Sequence, residues 1–218
     1  MSTPPQQYPR QLISYHLRLL RDGGLVTATR SSFDGRDSYY HLNLDRCADA
    51  LAATGAALHP VLRLGQAPPA PHPAAPVVVL FVCTGNSARS PIAEALLRRS
   101  CAGRVEATSA GTVPKPRVHP HTARVLRDEY GIDIRGQRPR HLNTLTGRRF
   151  DYLITLCDKA REVCPELVNH PRRVHWSVPD PVAAGATDQA GYPAFVRTAA
   201  GIDTRIRHLL PVLAHYHR

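Results

Sequence analysis

Val82-Cys83-Thr84-Gly85-Asn86-Ser87-Ala88-Arg89-Ser90-Pro91 is the stretch that decides the fold. The continuous apolar run at 77–82 before it reads as a strand buried on both faces. Residues 91–100 after it read as a helix, with Ser90 at the N-cap and Pro91 at the first helical position. Between them lies a short polar loop headed by a cysteine. In open α/β sheets ligands bind beyond the carboxyl ends of the strands, which is where this loop falls. Gly85 and Asn86 tolerate left-handed backbone, so the N–H groups of Thr84, Gly85, Asn86, Ser87, Ala88 and Arg89 can turn inward around an oxyanion. The helix N-terminus and the Arg89 fork add positive charge there. Cys83 is then placed as a nucleophile, with a pKa expected well below the free value of about 8.5. Ser90 is expected to hydrogen-bond its sulfur. A nucleotide P-loop is the rival reading, but the Gly-Lys-Ser/Thr ending it requires is absent.

Outward from this loop, further strands are predicted at 105–109, 152–156 and 174–176. Helices are predicted at 122–130, ending at Gly131, and at 195–216, where Pro211 should bend the chain. Strands alternating with helices imply an α/β fold with an open parallel four-stranded sheet flanked by helices. Upstream, Pro60, Pro68, Pro69, Pro71, Pro73 and Pro76 make 59–76 an extended linker. It sets off an enzyme domain at 77–218 from an amino-terminal fragment at 1–58. No internal repeat is present.

With 43% hydrophobic and 21% charged residues, the composition is that of an ordinary globular chain. No run reaches the roughly 18 apolar residues that a membrane span needs. The first twenty residues lack a secretory pattern, so a cytoplasmic location and no membrane partner are expected. In that compartment the five cysteines are expected to be thiols rather than structural disulfides. Residues 1–66 hold seven Arg and five Asp, so nine of the eleven excess positive charges fall at 67–218. That excess suits an anionic substrate or partner. His119, His121 and His175 have no metal-ligand spacing, and no catalytic metal is expected.

The run CTGNSARSPIAEALL from Cys83, TSAG from Thr108, FDYLITLCD from Phe150 and the late Asp180-Pro181 pair resemble one signature. It is that of the low-molecular-weight protein tyrosine phosphatases and of the thioredoxin-coupled arsenate reductases built on the same fold. The resemblance covers roughly 77–213 and implies that fold, with Cys83, Arg89 and Ser90 in the catalytic loop and Asp180 as general acid. It further implies that Cys157 and Cys164, seven residues apart, relay oxidising equivalents. Cys83 would attack arsenate, Cys157 would attack the adduct and expel arsenite, and Cys164 would take over Cys157. The resulting disulfide would pass to an external thiol reductant, thioredoxin or a low-molecular-weight thiol, with no bound cofactor. The alternative within the resemblance is a protein tyrosine phosphatase. Against it, Val182, Ala183, Ala184 and Gly185 stand where aromatic residues usually follow the Asp-Pro pair, and Ser87 replaces a bulky apolar residue. Ala88 stands where many related reductases have another cysteine, outside the relay. The shared chemistry implies residual phosphatase activity. Cys47 and Cys101 match nothing in the signature and read as structural.

Residues 10–22 carry an apolar helical stripe of Leu12, Ile13, Leu17 and Leu20, stopped by Gly23-Gly24. Strands at 25–29 and 38–44 follow, joined by a turn at 33–37. ISYHLRLLRDGGLV resembles the recognition helix of the ArsR family of repressors, and the stretch matches only that helix and its wing, a partial winged helix-turn-helix. The resemblance implies DNA contacts by Arg10, Gln11, Ser14, Tyr15 and Arg18, with Arg36 at the wing. An alternative for the whole chain is therefore a transcriptional regulator with an oxyanion-sensing domain.

Overall fold

The structure, a computed structural model, describes residues 10–31, 37–58, 76–101, 105–167, 169–184 and 188–214. The chain forms two compact units, Met1–Pro68 and Pro69–Arg218. The predicted linker at 59–76, except Pro76, and the wing residue Arg36 lie outside the described residues.

In the first unit, helix α1 (Arg10–Asp22) ends where Gly24 takes a left-handed φ of 70°. The Leu25 N–H returns to the Leu20 carbonyl at 2.9 Å, closing the helix. Strands β1 (Val26–Arg30) and β2 (Ser38–Leu42) pair antiparallel, Val26 opposite Leu42. Helix α2 (Leu44–Leu58) follows, an element missing from the sequence reading. Asn43 caps it, its side chain accepting from the Arg46 N–H at 3.3 Å, and its alanines favour the helix. Of the α1 stripe, Leu12, Ile13 and Leu20 are exposed and Leu17 half-buried.

The second unit opens with β3 (Val77–Cys83), buried along its length except at half-buried Val78. Helix α3 (Arg89–Cys101), strand β4 (Val105–Gly111) and helix α4 (Pro120–Tyr130) follow. Then come β5 (Tyr152–Thr155), the short α5 (Asp158–Val163), β6 (Arg172–His175) and the long α6 (Asp188–Ala214). The sheet is four-stranded and parallel throughout, in the order β4-β3-β5-β6. Helix α6 packs against both α3 and α4. It begins seven residues before the predicted 195 and carries Pro193 and Pro211 within it.

Two boundaries move for local reasons. Helix α4 starts at Pro120 because His119 caps it, its ring nitrogen accepting from the His121 N–H at 3.2 Å. Gly131 ends that helix as expected, at φ 66°. Helix α3 starts at Arg89, with the Ile92 N–H reaching the Ala88 carbonyl at 3.1 Å. Ser90 is therefore inside the first turn, not at the N-cap as predicted, and Pro91 occupies a position whose N–H would have no partner within the helix.

From β3 the chain winds to β4 on one side, and later through β5 to β6 on the other. The switch point lies between β3 and β5, and the crevice beyond their carboxyl ends is where such sheets bind ligands. Cys83 ends β3, and Cys157 stands two residues after β5.

Candidate active site

The loop after β3 is fixed from both sides. The Thr112, Val113 and Lys115 N–H groups donate to the Cys83, Thr84 and Gly85 carbonyls at 3.1, 2.9 and 2.8 Å. The Ser87 carbonyl accepts from the His119 N–H at 2.9 Å and from the Thr122 hydroxyl at 3.0 Å. With the loop's carbonyls thus engaged outward, no acceptor among the described residues takes the N–H groups of Gly85, Ser87 and Ala88. They remain available to an anion. Gly111 makes the close approach possible, since a Cβ there would lie 2.7 Å from the Thr84 carbonyl oxygen and 3.0 Å from the Asn86 nitrogen.

Asn86 organises the interior of the loop. It is 1% exposed and holds a left-handed φ of 45°, which Asn tolerates better than most residues. Its Nδ2 donates to the Ser90 hydroxyl at 2.9 Å and the Ser109 hydroxyl at 2.8 Å, while Oδ1 accepts from the Arg140 N–H at 2.8 Å. Ser109 in turn donates to Glu94 at 2.5 Å. The buried Glu94 carboxylate also takes Gln137 and Arg98, each at 2.8 Å, so its charge is met. Glu94, Ser109 and Gln137 escaped the sequence reading as parts of the site. The available signal was an acidic residue within the apolar run Ile92-Ala93-Glu94-Ala95-Leu96-Leu97.

The Cys83 sulfur lies 3.0 Å from the Ser90 hydroxyl and accepts from the Asn86 N–H at 3.3 Å. Burial pushes its thiol up from the ordinary value, outweighing Arg89 and Ser90, which pull it down; Cys157 adds to the rise. The depressed value expected from sequence is not found. Cys83 is only 2% exposed, and the Arg89 guanidinium is shared with other acceptors. Its Nη1 donates to the Val178 carbonyl and its Nη2 to Asp180 Oδ2, both at 3.0 Å. The other Asp180 oxygen accepts from the Val182 N–H at 3.1 Å, fixing the turn in which Pro181 stands.

Across the crevice, buried Cys157 caps the start of α5, its sulfur 3.3 Å from the Thr84 hydroxyl. Half-buried Cys164 caps the other end of the helix, and burial pushes its thiol up, against Arg173. Asp158, beside Cys157, is buried and accepts from Ser177 at 2.6 Å; His175 Nε2 lies 3.1 Å from the same oxygen. The other His175 nitrogen lies 2.8 Å from the Thr155 hydroxyl. Burial pulls His175 down, opposed by Asp158. His119 stacks on Phe195 and His121 packs edge-on to it. No group of three or more His, Cys, Asp or Glu among the described residues is placed to hold a metal ion. Cys101 is buried at the end of α3, and the Cys47 thiol lies 3.7 Å from the Leu25 carbonyl.

In the amino-terminal unit, Ser14, Tyr15 and Arg18 are exposed on α1, with the Arg18 guanidinium 5.8 Å from the Tyr15 ring centre. The Arg10 and Gln11 side chains lie outside the described residues. Among the described residues no helix is long and apolar enough to cross a membrane.

Known proteins resemble the second unit. An arsenate reductase of Halalkalibacterium halodurans is 34% identical over 130 residues, covering 60% of this chain and 92% of that protein. The solved structure of an arsenate reductase in the phosphate binding state superposes with a TM-score of 0.55 at 28% identity, covering 63% of this chain and 98% of that one. A low molecular weight protein tyrosine phosphatase from T. tengcongensis gives 0.52 at 26%, covering 63% and 99%. Residues 78–217 match the low molecular weight phosphotyrosine protein phosphatase family. With its parallel sheet, cysteine-headed loop and this match, the chain is an enzyme of the low molecular weight phosphotyrosine protein phosphatase family.

Proposed function

We propose that this enzyme reduces arsenate to arsenite through Cys83, Cys157 and Cys164. The observation that carries the reading is the Cys157 sulfur at the Thr84 hydroxyl, one residue from Cys83, at the switch point of the sheet. The arsenate reductases among its relatives support it. Arsenate enters the loop from Thr84 to Arg89, held by N–H groups and the Arg89 fork. The Cys83 sulfur bonds to arsenic, and one arsenate oxygen leaves as water, carrying the thiol proton and a second proton delivered by Asp180 or by the substrate itself. Because burial keeps Cys83 protonated, its proton moves to the anion as the bond forms. Cys157 then attacks the Cys83 sulfur. The sulfur–arsenic pair stays on arsenic, which leaves as arsenite, and a Cys83–Cys157 disulfide remains. Cys164 displaces Cys83 from Cys157, releasing the Cys83 thiol, and an external dithiol such as thioredoxin reduces the Cys157–Cys164 disulfide.

The last exchange has a structural cost. Cys157 and Cys164 cap opposite ends of a six-residue helix, which sets them about 10 Å apart along its axis, beyond the roughly 7 Å that a disulfide spans between Cα atoms. Helix α5 must unwind for them to meet. At that length it has little stability of its own, so unwinding is accessible.

The test is arsenate-dependent NADPH oxidation with thioredoxin and thioredoxin reductase, on wild type, Cys157→Ser and Cys164→Ser, beside hydrolysis of an aryl phosphate. Reduction lost in both variants with hydrolysis retained supports the relay. Reduction unaffected by either substitution overturns it. A phosphatase is the second reading, favoured by Asp180 at 3.0 Å from Arg89: an anion that takes over the Arg89 fork frees the Asp180 carboxyl to pick up a proton and pass it to the leaving oxygen. For the first unit we propose DNA contact through α1, supported by its helix–strand–strand order and by exposed Ser14, Tyr15 and Arg18. Binding to an operator-length duplex that weakens with salt is the expected result, and its absence removes that role.

A further inference from the structure

Behind the Asp180 turn is a cleft of about 250 Å³ that the proposed chemistry does not use. One wall is the turn itself, from Val178 to Ala184; the other is α6, through Arg197, Thr198, Gly201 and Arg205. Arg197, Gly201 and Arg205 are spaced four apart, one turn each, so they share a helix face. Gly201 between the two arginines leaves that face without a side chain. A Cβ there would stand 3.5 Å from Arg205 Nη1, so the space is bounded by the guanidinium.

The charge in this cleft is unbalanced. Among the described residues neither Arg197 nor Arg205 forms an ion pair. Arg205 donates to the Gly201 carbonyl at 3.0 Å, and it is partly buried with no carboxylate beside it. Asp180, the acid on the opposite wall, is already matched by Arg89 at 3.0 Å. Asp203 is taken by Arg207 at 3.5 Å. A partly desolvated guanidinium without a counter-charge is costly, and burial accordingly pulls Arg205 down. An arriving anion would relieve that cost.

We infer that the cleft is a binding site for a small organic anion, a carboxylate or phosphate group on a short apolar body. Arg197 and Arg205 grip the anionic head as two guanidinium forks, with the Thr198 hydroxyl as a further donor. Pro179, Pro181 and Ala184 on the turn receive the apolar part. This site is separate from the loop after β3, and it stands whether or not the enzyme reduces arsenate. Because Asp180 lines the cleft and also holds Arg89, an occupant adjoins the proposed general acid.

The test is amide NMR of the full-length chain titrated with benzoate and, separately, with phenylphosphonate. Saturable shifts at the Thr198 and Gly201 amides are expected, distinct from any at Gly85 to Ala88, and about tenfold weaker binding in Arg197→Gln. Arg205→Gln should weaken it similarly, and Gly201→Leu should abolish it by filling the space while leaving both charges. The probe that saturates at lower concentration assigns the head group as carboxylate or phosphate. Arg197 is exposed, so its variant reads binding even where Arg205→Gln is poorly folded. Shifts confined to the loop after β3, or equal affinity in wild type and Arg197→Gln, overturn the inference.

Discussion

Replacing Asn86 by alanine should cost this enzyme more than any surface change, and the sum can be worked from its contacts. The substitution removes two buried hydrogen bonds, to Ser90 and Ser109, and a partly buried one from the Arg140 N–H. Each is worth about 1 kcal/mol net, and the Arg140 N–H left without its acceptor keeps the total near the upper end. Alanine must also hold the left-handed φ of 45°, at about 1 kcal/mol more. The expected loss is about 4 kcal/mol, with about 3 for Asn86→Gly, because glycine accepts that backbone freely. Trp176 is the single tryptophan, buried and 5.7 Å from Phe81, so its fluorescence in a urea titration reports this unit alone. A loss under about 1 kcal/mol for alanine would refute the network's role. Equal losses for alanine and glycine would refute the backbone share.

Gly111→Ala should disable the enzyme without touching any reacting group, because its Cβ meets the Thr84 carbonyl at 2.7 Å. A stability loss of about 1–3 kcal/mol with a steep fall in turnover is expected; unchanged turnover would show that the loop can yield. His175 is pulled down by burial, so its protonation favours the unfolded chain. Stability should be whole above about pH 6.5 and decline as pH falls below it, toward the folded-state value. Urea midpoints read by Trp176 should show that slope, flattened in His175→Asn; an identical slope in both would exclude His175 as its source. Cys83 is pushed up by burial, so without anion its alkylation by iodoacetamide should keep accelerating beyond pH of about 8.5. A plateau below neutral pH would mean that the loop's donors outweigh burial.

Much of the enzyme unit was legible because its signals are local. Six apolar residues before Cys83, four of them valines, bounded by Pro76 and a polar loop, read as a buried strand, and a Gly at 131 after an amphipathic run ends a helix. Where the reading failed, the deciding partner was distant in sequence or the pattern weak. Ser90 has the right chemistry for an N-cap, but Ala88 takes the position, leaving the Ser90 hydroxyl for the Cys83 sulfur. Burial raises the Cys83 pKa against the sequence expectation, because the donors are visible in sequence while the depth of burial is not. Helix α5 is too short to show a periodicity, and α2 is too rich in alanine to display a stripe. The Glu94 network joins three chain segments, which no spacing reveals.

The position of β3 in the sheet also sets an order in time. It pairs with β4, its neighbour in sequence, at Val77 and Val105, and with β5, far later in the chain, at Val79 and Tyr152. The first pairing closes a short loop around α3 and forms early; the second waits for much more chain. Helix α6, which covers α3, arrives last. During synthesis the β3–α3–β4 segment therefore emerges with its cysteine uncovered, a reactive thiol without the burial that later restrains it. Protection of Cys83 from alkylation during refolding should accordingly lag the pairing of β3 with β4 and report the arrival of β5 and the Cys157 turn beside it.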